Sequence, residues 1–147
     1  MRHTRWVNSM YYILPFFLFV SVVITNFFYS VSASAVEGAV DSISKNLFVQ
    51  SVKVDVPETE IDDVDDFYID YVQFEQLFVK QFSENLGYYK GEAEVSFAYY
   101  NVKTQLECNH QTIVCNGVQV RIRVKSFSLI PAQVKYIRYE VHSGDNP

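Results

Sequence analysis

The sequence predicts an α+β protein: a long amino-terminal helix, first apolar and then amphipathic, followed by a small antiparallel meander of three or four strands covered by one helix. Three observations carry this. Tyr11 to Tyr29 is nineteen residues without a charge, Phe67, Tyr71, Phe74, Phe78 and Phe82 recur at helical spacing, and Val118 to Lys125 alternates apolar and polar residues without a break. The 147 residues suit one domain with an appendage, and a hydrophobic content of 49% excludes a disordered tail. With 12 Lys+Arg against 17 Asp+Glu the net charge is -5, which excludes a nucleic-acid binder of the ordinary basic kind.

Residues 1–10 hold Arg2 and Arg5 and no acid, and 11–29 form the uncharged stretch, with Tyr11, Phe16, Phe19, Val22, Ile24 and Phe27 as span residues. The lipid bilayer is its natural solvent. Two devices share this pattern. Ala33-Ser34-Ala35 is an A-x-A site whose cleavage would release a chain starting at Val36, as a secretory signal requires. Against that, signal h-regions run about 7–15 residues whereas a bilayer crossing needs about 20, and the stretch fits the second length better. The preferred expectation is a signal anchor at the cell membrane, crossing once, with secretion as the alternative. By the positive-inside rule Arg2 and Arg5 stay in the cytoplasm and the head is exported. Residues 36–147 then carry 10 Lys+Arg and 17 Asp+Glu, a net charge of -7.

Over residues 30–50, Val36, Val40, Ile43 and Leu47 continue the apolar pattern at spacings of 4, 3 and 4. They predict one helix from about Met10 to Phe48, with a stripe for association with neighbouring helices or for packing on the head. Residues 51–147 form the expected extracytoplasmic α+β head. Ser51 to Val56 alternates and stops at Pro57, as a short edge strand does. Asp55 to Glu75 holds nine acids and no base. An EF-hand-type loop needs a glycine at its sixth position that no window here supplies, so a solvated acidic loop is preferred to a calcium site.

The Phe-rich stripe predicts a helix from Asp66 to about Leu86, ended by Gly87, although Phe67, Ile69 and Tyr71 also alternate as a strand would. Strands follow at Glu94 to Tyr99, Val118 to Lys125 and about Val134 to Val141, with a frayed tail from Ser143. Asn116-Gly117 has the residues of a type I′ turn and competes with a longer loop over Glu107 to Thr112. Arg121, Arg123 and Lys125 share a strand face, with Lys135 and Arg138 near in sequence, as an exposed charged face or as a seat for an acidic partner.

Cys108 and Cys115 flank a short loop, and in an exported chain such a pair predicts a disulfide worth roughly 2–3 kcal/mol. A metal site with His110 and His142 is the rival, but the spacing matches no zinc pattern, so no metal and no cofactor are expected. G-x-S-x-G, H-E-x-x-H, G-x-x-x-x-G-K-[ST] and G-x-G-x-x-G are all absent, and neither an enzymatic activity nor a small-molecule substrate is expected.

A short basic start, one apolar span, a helical continuation through Val36, Val40, Ile43 and Leu47, and a small α+β head together resemble the pilin-like proteins. Type IV pilins carry a Glu shortly into the apolar segment, which Tyr11 to Tyr29 lacks, so the layout is closer to TadE-type minor pilins of tight-adherence pili and related export systems. The resemblance implies a structural or assembly role, with other membrane or pilin-like subunits as partners and no nucleic acid. It transfers no functional residue. The alternative is a secreted or anchored binding module of inhibitor, immunity or adhesion type.

Overall fold

A computed structural model describes residues 3–54, 63–108, 114–125 and 132–141, with side chains from residue 10 onward. It is α+β. Helix α1 runs from His3 to Asp41, α2 from Asn46 to Ser51, and strand β1 from Val52 to Val54. A 3-10 turn over Val64–Asp66 leads into β2 (Phe67–Ile69), then α3 (Tyr71–Leu86), a second 3-10 turn (Gly87–Tyr89), β3 (Ala93–Tyr100), β4 (Gly117–Val124) and β5 (Val134–Glu140). Strands β3, β4 and β5 pair antiparallel in chain order as the expected meander, while β1 and β2 form a separate two-stranded ribbon.

Among the described residues the meander is covered on one face. Pairing Val95 with Ile122, Phe97 with Val120 and Tyr99 with Val118 puts these side chains on the inner face, joined by Ile137 and Tyr139 from β5. Val118, Val120 and Ile122 are fully buried under Phe74, Phe78, Phe82 and Leu86 of α3. Phe78 meets Phe97 edge-on at 5.6 Å, and Phe74 meets Tyr139 at 5.6 Å, each such pair adding about 0.5–1.5 kcal/mol beyond its buried area.

The helix expected from Asp66 starts five residues later, at Tyr71. Asp66 is already engaged: it closes a capping box with Asp63 on the preceding 3-10 turn. Phe67 to Ile69 then pair with Val54 to Val52, so the alternating reading of Phe67 and Ile69 prevails. Asp70 caps α3 by accepting the Gln73 backbone N–H at 3.1 Å. At the other end Gly87 takes φ +55°, the left-handed value that glycine reaches without a Cβ clash.

The long amino-terminal helix is also interrupted. After Asp41 the Ile43 N–H turns to the Val40 carbonyl at 3.0 Å, and the Ser42 hydroxyl bonds the Gly38 carbonyl at 2.7 Å, competing with the helical ladder. The chain bends there and resumes as α2, so the single helix expected through Phe48 is two. The connection from β3 to β4 is long, and no tight turn forms at Asn116-Gly117. Asn116 is fully buried, and Gly117 starts β4 beneath the Tyr100 ring, where an added Cβ would lie 2.6 Å from Tyr100 Cε2. The Tyr100 hydroxyl crosses above it to donate to Glu140 at 2.7 Å.

Candidate anchor and assembly surface

Helix α1 changes surroundings at Tyr29. From Met10 to Phe28 most of its side chains point into open space: Tyr11, Phe16, Phe19 and Phe27 are 62–73% exposed, and Val22 and Ile24 about half. Burial on this scale left undone is unfavourable in water, since each such side chain is worth about 1.5–3 kcal/mol when covered. Two polar residues in the stretch are satisfied by their own helix. Thr25 Oγ1 donates to the Ser21 carbonyl at 2.8 Å and Asn26 Nδ2 to the Val22 carbonyl at 2.9 Å, which is what hydrocarbon surroundings require of a polar side chain. Met10–Asp41 contains an 18-residue stretch of mean hydropathy 1.9 and is the one helix among the described residues long and apolar enough to cross a membrane.

From Tyr29 onward one stripe of the helix belongs to the head. Tyr29, Ser32, Val36, Ala39, Val40 and Ile43 are buried, followed by Leu47 on α2. Val36, Val40, Ile43 and Leu47 were candidates for association with neighbouring helices. Here they pack in the chain's own core with Phe74 and Val120, which leaves no surface on them for a second subunit. Three polar contacts fix the junction. The Gln133 backbone N–H donates to the Tyr29 hydroxyl at 3.0 Å, Asn85 Nδ2 to the Ala39 carbonyl at 3.2 Å, and Lys135 Nζ to Asp41 at 2.8 Å with Glu37 at 3.7 Å. Lys135 therefore does not share a face with Arg121, Arg123 and Arg138. It lies opposite Ile122 on the helix side, whereas Arg138 lies opposite Gln119 on the outer face.

Cys108 and Cys115 are not joined in a disulfide. Each is held by a different neighbour: the Cys108 N–H donates to Tyr99 and the Cys115 carbonyl accepts from Ile69 at 2.7 Å. The two thiols share a hydrogen bond instead. Burial first, and that bond second, push the Cys108 thiol up to about 12, so it stays protonated at neutral pH.

The acidic segment is used structurally where it is described. Lys103 pairs with Asp63 and Asp65, and Lys53 with Asp70. Asp65 accepts from Asn101 Nδ2 at 3.0 Å and Asn116 Nδ2 at 3.3 Å, and these two buried amides also bind the Val114 and Val64 carbonyls. The Asn101 bond, then Lys103, holds the Asp65 carboxyl below its ordinary value. Nothing in the sequence around Asn101 or Asn116 singles this pair out, since both read as loop residues. Among the described residues no group of His, Cys, Asp and Glu is placed to hold a metal ion. Asp55, Glu58, Glu60, Asp62, His110, His142 and the tail from Ser143 lie outside the described residues.

A groove of about 920 Å³ runs between the α1–α2 bend and β5, lined by Val40, Ile43, Phe48, Val54, Phe67 and Tyr136 among others. Its walls are largely apolar, with Asp41, Lys45, Lys135, Arg138 and Glu140 among the lining residues. Comparison with family models, curated proteins and solved structures finds no match.

Proposed function

We propose that the chain is a membrane-anchored extracytoplasmic structural or assembly protein, a pilin-like minor component of a pilus or of a secretion or transfer system. The observation that supports this best is the continuity of α1. One helix carries exposed apolar residues through Phe28 and a buried stripe from Tyr29 onward, with no linker between span and head. Such a junction holds the head at a fixed attitude to the membrane, as a subunit stacked beside others needs and a loosely tethered domain does not. In this reading Arg2 and Arg5 remain in the cytoplasm and the head lies outside.

Cleavage after Ala35 would remove Tyr29 and Ser32 from the core and the Tyr29 hydroxyl from Gln133, which favours retention of the segment. With Val36, Val40, Ile43 and Leu47 already buried, apolar lateral contacts fall to the span itself. A photo-crosslinker placed at Phe19 in native membranes should capture another subunit, and Val22→Asp should abolish that product. Crosslinks to lipid alone would count against an assembly role. The second reading, a secreted binding module, draws on the exposed outer face of Arg121, Arg123 and Arg138. It requires a soluble chain beginning at Val36.

A further inference from the structure

The contacts along α1 set a vertical scale for the head. Gln133 meets Tyr29, Lys135 meets Glu37 and Asp41, and Tyr139 stacks on Phe48 at 5.5 Å, so β5 climbs away from the span in step with α1 and α2. The start of β5 is therefore the end of the sheet nearest the span. Side chains on a helix tilt toward its amino terminus, which carries the Tyr29 hydroxyl, and the Gln133 backbone with it, down toward the apolar stretch.

The rest of that rim follows by hydrogen bonds. Val124 N–H donates to the Gln133 carbonyl at 2.9 Å, Lys125 N–H to the Glu92 carbonyl at 2.7 Å, and Glu92 N–H to the Tyr89 carbonyl at 2.9 Å. Tyr88, beside this turn, is the most exposed large hydrophobic side chain among the described residues, at 105% of its reference area. Lys90, Arg123 and Lys125 are exposed on the segments that form this rim, with Glu92 and Glu94 as acids on the same segments.

We propose that this rim is a seat on the outer surface of the bilayer: Tyr88 lies in the headgroup layer, with Lys90 and Lys125 toward lipid phosphates. The inference rests on the anchored reading above. A tyrosine suits that depth because its ring is apolar and its hydroxyl remains wet, the property that enriches aromatics at both membrane interfaces. The tether supplies the encounter, since α1 holds the rim beside the lipid surface at high effective concentration and weak contacts suffice.

Trp6 is the chain's one tryptophan, which allows a direct test with the full-length protein. The Trp6→Phe/Tyr88→Trp protein is reconstituted in phosphatidylcholine–phosphatidylglycerol vesicles, and the vesicles are washed with alkaline carbonate. The expected result is blue-shifted emission that loses most of its intensity when the lipids are brominated near the top of the acyl chains. Trp6→Phe/Leu106→Trp, at the opposite end of the sheet, should emit as in water and stay unquenched. A retained chain whose position 88 emits as in water overturns the seat and leaves the anchor standing. Equal quenching at 88 and 106 also overturns it, because the head then has no preferred end. A chain released by carbonate overturns both the seat and the anchored reading.

Discussion

At the residue scale, two buried asparagines hold the acidic turn against the sheet. Asn101 gives its amide protons to Asp65 and the Val114 carbonyl and takes the Thr104 N–H on its oxygen, and Asn116 takes the Val102 N–H at 2.7 Å. Removing one partner leaves buried groups unsatisfied, so Asn101→Ala should cost about 1–3 kcal/mol in a urea titration. The same network makes the fold acid-sensitive. The Asp63, Asp65 and Asp70 carboxyls are all held below their ordinary values, each by a hydrogen bond to a neighbouring side chain first. A lowered folded-state value stabilises the fold above the unfolded value, and that stabilisation fades as pH falls through the lowered one. Stability measured against pH should therefore decline below about pH 4, and Asp65→Asn should flatten part of the decline. Gly117 is a question of space: an alanine there would push the Tyr100 ring off the Glu140 bond and should cost about 1–3 kcal/mol.

Among the elements, those with long unambiguous periodicity were legible and those decided by a cap or a competing hydroxyl were not. The strict alternation of Val118 to Lys125 became β4 shifted by one residue, and Phe74, Phe78 and Phe82 became the buried stripe of α3. Phe67 and Tyr71 fit both periods, and the outcome turned on Asp66 and Asp70 capping separate turns, a choice that spacing alone does not encode. The bend at Ser42 had the same character, because a serine in mid-helix either faces solvent or bonds backward and only packing decides. Cys108 and Cys115 lie close in sequence and are not joined in a disulfide. The junction contacts of Tyr29 and Lys135 span 104 and 94 residues, a separation no local pattern reports. Truncating the centre of the stripe measures how much the cover helix contributes: Phe78→Ala should lower stability by about 3–5 kcal/mol without changing the secondary structure seen by circular dichroism.

Taken whole, the molecule is two environments joined by one helix. Residues from Met10 to Phe28 present apolar surface, with Thr25 and Asn26 bonded to their own helix, and from Tyr29 onward one stripe is buried in the head. A carboxylate in the middle of the span should cost about 2.5–3.5 kcal/mol of insertion, so Val22→Asp should shift protein out of the carbonate-resistant membrane fraction while an isolated soluble pool keeps its folded head. The most direct test of the account is the intact mass and amino-terminal sequence of the protein recovered separately from membranes and medium. The account predicts a membrane fraction that retains Met1 and the whole of α1. Recovery from the medium of a chain that begins at Val36 would contradict it.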